Sequence, residues 1–265
     1  MTDLLPASRE SWRGTLGGYS RPTATIELVA PISKSGGGSG AFLALADNGH
    51  DYWVKPLGNP QGDLVLATEQ IVAAVGRLID APVRPVELVS IPASLAGWKY
   101  FDFHRLRPGI AHASLHLEAT EEDEDLLYVR RDDNDNRYPA IMALWDLCMG
   151  GDEQWLHDQR SQFSVWSFDH GFWLGGEPDW TGDKLAPLCS TPWELGSSVK
   201  RFQPGRFHDL ANALERLTPE DLLAAVARVP VEWKIPDWEL ETVAWVLHNR
   251  RLGVADRLRS AAART

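Results

Sequence analysis

The order of predicted elements in the first hundred residues constrains the fold more than any other feature of the sequence. Residues 23–32 are rich in β-branched side chains and predict a strand. Residues 41–56 contain two apolar runs around an Asp-Asn-Gly turn at 47–49, and an Asn-Gly pair in that setting predicts a β-hairpin. Near-helical apolar spacing follows over 64–80, and strand-forming residues return over 81–92. Strand, hairpin, helix and strand in this order predict a small mixed lobe.

The rest of the chain predicts a mostly helical structure. Residues 137–151 are apolar and end at glycines, which predicts a buried helix. The acidic run 118–125 favours the solvated face or cap of another helix. Residues 163–176 predict a strand that leads into a Gly-containing turn. Thr218 is a helix N-cap, because proline and acidic residues follow it in the first turn.

The length of 265 residues allows either one large domain or a two-lobed unit. The segments above together predict an α+β fold with two lobes. The small lobe is expected over residues 20–96 and a mostly helical lobe over residues 97–265. Residues 1–19 are polar and Gly-rich, and we expect them to lead loosely into the fold.

Charge and composition argue against several classes of protein. The chain has 26 basic and 37 acidic residues, and its net charge of -11 repels nucleic-acid backbones. No apolar run approaches the roughly 20 residues that cross a bilayer, and the first ten residues lack the order of a signal peptide. Two cysteines, Cys148 and Cys189, do not make a disulfide framework. We therefore expect a cytoplasmic protein with no nucleic-acid or membrane partner.

Several residues in the small lobe are suited to binding phosphate. A glycine-rich segment between two predicted strands leaves bare backbone that can approach phosphate oxygens; it contains Gly36, Gly37, Gly38 and Gly40. A flexible surface loop would explain these glycines equally well. Lys55 ends an apolar strand, and a lysine buried there needs an anion. Glu69 on the following helix is the expected partner, although an exposed lysine and an ordinary helix glutamate remain an alternative.

Two aspartates in residues 150–176 are candidates for catalysis and metal binding. Asp152 follows two glycines at a predicted helix end, where a carboxylate can face a cleft. Asp169 follows an apolar strand, where metal coordination or a strong hydrogen bond would satisfy it. A structural turn aspartate is the alternative for Asp169. For His170, we expect a structural role, with the ring hydrogen-bonded to the backbone, rather than a catalytic one.

Four segments resemble the HipA-like kinases, bacterial relatives of the protein-kinase and phosphoinositide-kinase folds. They are YWVKP (52–56), TEQIVAAVGRLIDAPVRPVELV (68–89), GGDEQWL (150–156) and FDHGFW (168–173), and the similarity covers roughly residues 32–176. The resemblance implies a two-lobed fold that binds ATP and Mg²⁺ between its lobes. It also implies transfer of a phosphoryl group to a hydroxyl acceptor, often a serine or threonine of a protein.

The resemblance also implies roles for the candidate residues. The glycine segment and Lys55 would hold the ATP phosphates, and Glu69 would position Lys55. Asp169 with Gln154 would bind Mg²⁺, while Asp152 would orient the acceptor hydroxyl.

One position departs from the kinase pattern, because His157 stands five residues after Asp152 where kinases usually carry a metal-binding Asn. Histidine is a poor Mg²⁺ ligand, so Gln154 is the amide expected to bind the metal instead. A catalytically weak pseudokinase that acts as a nucleotide- or protein-binding module is therefore the alternative function.

Overall fold

The structure is a computed structural model that describes residues 8–196 and 199–265. Its strands are β1 (Ile26–Lys34), β2 (Phe42–Ala46), β3 (Asp51–Lys55), β4 (Val86–Ile91), β5 (Lys99–Phe101), β6 (His104–Arg105), β7 (Gly109–Leu115), β8 (Thr120–Asp123), β9 (Trp155–Asp158) and β10 (Ser164–Ser167). Its α-helices are α1 (Leu64–Leu78), α2 (Asn134–Cys148), α3 (Gly182–Leu185), α4 (Pro204–Arg216), α5 (Pro219–Val226) and α6 (Asp237–Ala262).

Five strands close into a small barrel in the order β1-β2-β3-β7-β4. The predicted hairpin is confirmed as β2 and β3, which pair antiparallel from Phe42↔Val54 to Leu45↔Asp51. Side chains alternate along a strand, so Val54 points into the apolar interior of the barrel while Lys55 points away from it. Trp53 lies two residues before Lys55 and shares its face.

The predicted helix over 64–80 is confirmed as α1, which is buried along nearly its whole length. It contacts α5, α2 and the 3₁₀ turn His170–Phe172. The large apolar core lies among the helices, where the 26-residue α6 packs on α4 and α5. Thr218 caps α5 in a capping box with Asp221, as its sequence predicts.

The prediction of a helix face for the acidic run 118–125 is wrong. Thr120–Asp123 forms strand β8, which pairs antiparallel with β9, and β9 in turn pairs with β10. Backbone pairing with β9 overrides the low strand propensity of a carboxylate-rich segment, because the acidic side chains can still reach solvent. This three-stranded sheet ends directly before Asp169.

Two further expectations need correction. Part of the predicted lead-in is folded: Trp12 and Leu16 are buried in 3₁₀ turns, and the backbone N–H of Leu16 donates to Glu241 at 2.8 Å. Residues 1–7 lie outside the described residues. The boundary drawn between residues 96 and 97 divides the barrel, because β7 hydrogen-bonds to both β3 and β4. Within the described ranges, no helix combines the length and apolar character needed to span a bilayer.

Candidate active site

A buried lysine connects three distant parts of the chain. Lys55 at the end of β3 donates from Nζ to Glu69 Oε1 at 2.6 Å and to Asp169 Oδ1 at 2.5 Å. Lys55 is 5% exposed and Glu69 is 3% exposed, so water screens their ion pair poorly. The expected Lys55–Glu69 partnership is therefore present in the structure, and Asp169 shares the same ammonium.

Glu69 uses its second oxygen to hold the turn that carries Asp169. Glu69 Oε2 accepts the backbone N–H of His170 at 3.0 Å. The His170 ring is buried and hydrogen-bonds through Nε2 to the Ser167 hydroxyl at 2.8 Å. These bonds agree with the structural role favoured for His170. They also mean that helix α1 fixes both Lys55 and the turn at Asp169.

The charges of the buried pair stabilise each other. Burial alone lowers the pKa of Lys55, but the carboxylates of Asp169 and Glu69 outweigh burial and hold that pKa above its ordinary value. Burial alone raises the pKa of Glu69, but the Lys55 ammonium and the hydrogen bond from His170 hold that pKa well below its ordinary value. Both groups are therefore charged at neutral pH.

Asp152 and Asp169 share an uncommon backbone conformation. Their φ angles are +63° and +53°, in the left-handed region that most side chains avoid. Aspartate tolerates this region better than most residues, yet such strain persists only where the surrounding structure enforces it. In each case the twist follows a regular element, after α2 for Asp152 and after β10 for Asp169. Both side chains line the same cleft.

Gly151 allows the chain at Asp152 to approach the turn at Asp169. A Cβ on Gly151 would lie 2.5 Å from the carbonyl oxygen of Phe172, which is closer than real contacts allow. Asp152 itself is exposed on the cleft wall, and Gln154 Nε2 donates to Asp152 Oδ2 at 2.6 Å. His157 is buried and hydrogen-bonded to the Tyr138 hydroxyl at 2.8 Å, so it does not line the cleft.

The predicted glycine segment divides into two parts. Gly36, Gly37 and Gly38 line the same cleft as Lys55. Gly40 does not line it: a Cβ there would lie 2.9 Å from Pro60 Cγ, and its φ is +60°. Gly40 therefore serves a tight turn and close packing, and the interpretation of Gly40 as a phosphate contact is not supported by its position.

The cleft has a volume of about 610 Å³, within the range of small-molecule sites. The sequence did not predict that several other residues line the cleft, including Trp53, Arg84, Ser114, His116, Glu122 and Leu156. The Trp53 indole N–H donates to His116 Nδ1 at 3.2 Å. Burial, with the nearby Arg84 charge, lowers the pKa of His116, which suits a neutral acceptor. The alternation of β3 could have identified Trp53, because Lys55 was already a candidate.

The acidic side chains of the cleft are suited to a hard cation. Glu122 lies among them, since burial and the charges of Asp169 and Asp152 raise its pKa. No cluster of three or more His, Cys, Asp or Glu side chains close enough to hold a metal occurs in the described residues. Mg²⁺ at phosphate sites is commonly bound by only one or two carboxylates together with phosphates and water. Asp169, which is 28% exposed at its side chain, and Asp152 with Gln154 fit that requirement.

The fold is similar to solved kinase structures. CtkA, a proinflammatory kinase of Helicobacter pylori, aligns with a TM-score of 0.58 and 12% identity, covering 91% of this chain and 98% of that chain. The Golgi casein kinase, solved with Mn and ADP bound, aligns with a TM-score of 0.48 and 11% identity, covering 96% of this chain and 77% of that chain. No protein-family model matches the chain, and no curated protein is significantly similar in sequence. The chain has a kinase-like α+β fold.

Proposed function

We propose that this chain is a HipA-like kinase that binds ATP with Mg²⁺ and transfers the γ-phosphate to a hydroxyl group. One observation carries the proposal: the Lys55 ammonium bridges Glu69 of α1 and Asp169 after β10, and all three residues line a cleft of about 610 Å³. Phosphoryl transfer requires a positioned cation, a metal-binding acid and a group that orients the acceptor, and this cleft offers a candidate for each.

The barrel and the helical region form the two lobes of the proposed kinase. Lys55 donates to phosphate oxygens, and Glu69 keeps its ammonium in place because Glu69 is itself anchored to the His170 backbone. Gly36, Gly37 and Gly38 offer backbone in the lining of the same cleft. A bare backbone lets N–H groups approach phosphate without a side chain intervening.

Asp169 and Gln154 are the proposed Mg²⁺ ligands. When bound, Mg²⁺ neutralises charge on the phosphate oxygens. Asp169 Oδ1 already contacts Lys55, which leaves Oδ2 for the metal. Asp152 is the proposed acceptor-orienting carboxylate, because it is exposed, lines the same cleft and accepts a hydrogen bond from Gln154. The acceptor is a hydroxyl on a protein, such as a serine or threonine, or on a small molecule.

A catalytically weak nucleotide-binding module is the second candidate function. It is favoured by His157, which occupies the position of the usual metal-binding Asn but is buried and bonded to Tyr138. It is also favoured by the Gln154 amide, which is already bonded to Asp152.

A paired assay of binding and transfer tests the proposal. The purified chain is incubated with ATP and either Mg²⁺ or Mn²⁺, and intact mass and phosphate release are followed while nucleotide binding is measured by calorimetry. Phosphate transfer that disappears in Asp152→Asn supports the kinase. Binding without transfer under both metals supports the weak module. An absence of nucleotide binding under both metals contradicts both candidates.

A further inference from the structure

A second cation lines the cleft without a carboxylate partner. Arg84 is 5% exposed, and its Nε donates to the backbone carbonyl of Leu115 at 2.5 Å. In the part of the chain that the structure describes, no carboxylate lies within ion-pair distance of its guanidinium. A buried guanidinium has several donors to satisfy, and one carbonyl satisfies only one of them. No nitrogen of the Arg84 side chain is both fully buried and without a partner in the described residues, and Arg84 lines the cleft, so an anion that enters the cleft can reach its remaining donors.

The backbone of Arg84 is fixed relative to Asp169. The N–H of Arg84 donates to the Ser167 carbonyl at 3.0 Å, and the N–H of Ser167 donates to the Pro82 carbonyl at 2.8 Å. Ser167 ends β10, two residues before Asp169. Pro85 follows Arg84 and restricts its backbone to extended conformations. The chain at Arg84 is therefore hydrogen-bonded to the end of the strand that leads to the proposed metal ligand.

Among the described residues that line the cleft, Arg84 is a buried cation that forms no ion pair with a carboxylate. Lys55 is already bonded to two carboxylates. Lys34 is exposed, with its ammonium 5.5 Å from the centre of the Trp98 ring. The cleft also contains four carboxylates, those of Glu69, Glu122, Asp152 and Asp169. Three cations against four carboxylates give the lining a formal charge of -1 before any divalent cation binds, and loss of Arg84 would make it -2 and so less favourable to a polyphosphate.

Arg84 keeps its charge in this environment. Burial lowers the pKa of Arg84 to about 10, and the carboxylates of Glu69, Asp169 and Glu122 oppose that lowering. A pKa of about 10 leaves the guanidinium protonated at neutral pH. The carboxylates are near enough to affect the charge of Arg84 but do not form ion pairs with it.

We infer that Arg84 is a second phosphate-binding residue of this cleft, donating from its guanidinium nitrogens to oxygens of the nucleotide polyphosphate. This inference rests on the proposed nucleotide-binding function and deepens it. A planar guanidinium presents paired donors that match two phosphate oxygens, which an ammonium does not. The contrasting role for Arg84 is purely structural, as a brace between its own segment and Leu115.

The test compares ligands that differ only in phosphate content. Wild type, Arg84→Met, Arg84→Lys and the exposed-residue control Arg107→Met are titrated by calorimetry with ATP, ADP and adenosine in the presence of Mg²⁺. We expect Arg84→Met to weaken ATP and ADP binding by about tenfold or more while adenosine binding changes less than about twofold. Arg84→Lys is expected to recover part of the loss, and Arg107→Met to match wild type.

Two results would overturn the inference. Equal weakening of ATP and adenosine in Arg84→Met would make Arg84 a structural brace, and unchanged ATP binding would remove it from the phosphate site. If Arg84→Met does not fold by circular dichroism, Arg84→Lys is judged by the same ratio of ATP to adenosine affinity. Failure of wild type to bind ATP would instead refute the proposed function itself, so the two failures are distinguishable.

Discussion

The Nζ atom of Lys55 lies 2.5 Å from Oδ1 of Asp169, although 114 residues separate them in the chain. Strand β3 supplies the ammonium, and the turn after β10 supplies the carboxylate. Glu69 of α1 contacts both the ammonium and the backbone of that turn. The phosphate end of the cleft is therefore assembled by tertiary packing, and each member depends on the others.

Replacement of Lys55 by methionine should reduce both stability and nucleotide binding. Two carboxylates would remain beside each other without the cation between them, at a cost of about 3–5 kcal/mol in the free energy of unfolding. Chemical denaturation measures this cost, and thermal shift with Mg²⁺ and ATP measures binding. Lys99→Met is the matched control, because Lys99 is exposed on β5 and should behave as wild type.

The double variant Lys55→Met/Glu69→Gln separates the two effects. Removing both charges relieves most of the electrostatic cost, so stability should recover in part. Nucleotide binding should not recover, because the cation is still missing. Recovery of binding in the double variant would contradict the role assigned to Lys55.

Asp169 and Asp152 should fail in different ways. Asp169→Asn weakens a metal ligand, so it should reduce the dependence of nucleotide affinity on Mg²⁺. Asp152→Asn keeps the metal and phosphate contacts, so it should retain binding while transfer falls by 10²-fold or more, roughly the size of a general-base contribution. Calorimetry with and without Mg²⁺, together with phosphate transfer, checks both expectations. Identical behaviour of the two variants would contradict the separate assignments.

Gly151→Ala should destabilise the fold near the catalytic segment. The added Cβ would lie 2.5 Å from the carbonyl oxygen of Phe172, and relieving that overlap must shift backbone. We expect a loss of about 1–3 kcal/mol, typical of overpacking, measured by chemical denaturation. Gly205→Ala is the control, since a Cβ there meets no atom within 4 Å and Gly205 is the second residue of α4. A neutral Gly151→Ala would show that this approach is looser than described.

Stability should fall as the pH drops from 6.5 towards 4. Burial lowers the pKa of His112 to about 4. The Glu69 carboxylate opposes this lowering, whereas the Lys55 ammonium adds to it. Between pH 4 and 6.5 the unfolded chain binds more protons at His112 than the folded chain does, so stability rises with pH across that window. The loss on acidification amounts to at most about 3 kcal/mol from this residue.

His112→Gln should flatten part of that pH dependence, measured as the free energy of unfolding at several pH values. The pKa of His248 is also lowered to about 4, chiefly by burial, so some slope should remain in the variant. His208→Gln is the control, because His208 is exposed on α4. A slope equal to that of wild type in His112→Gln would contradict the buried, neutral state of His112.

Local signals in the sequence predicted the hairpin, α1 and the helix start at Thr218. Each depends on residues close in the chain: an Asn-Gly turn, a 3.6-residue period and a capping box. The same local logic failed for residues 118–125, because strand β8 forms only by pairing with β9. Closure of the barrel by β7 was missed for a similar reason, since its partners β3 and β4 are distant in sequence.

The candidate site was partly predictable for related reasons. Lys55 and Asp169 end apolar strands, so burial already pointed to a need for partners. Arg84 and Glu122 gave no comparable signal, because a charged residue in a loop or an acidic run is ordinarily solvated. Gly40 packs against Pro60 in the structure, and composition alone does not distinguish a glycine needed for packing from one that contacts a ligand.

The most direct test is a calorimetric titration of Mg²⁺ and ATP into wild type and Lys55→Met, with Lys99→Met as control. We expect saturable one-site binding to wild type and the control, and a loss of at least about tenfold in affinity for Lys55→Met, equivalent to one charge-assisted hydrogen bond. Binding of equal strength to folded Lys55→Met, or no binding to wild type, would contradict the claim that this cleft holds a nucleotide polyphosphate.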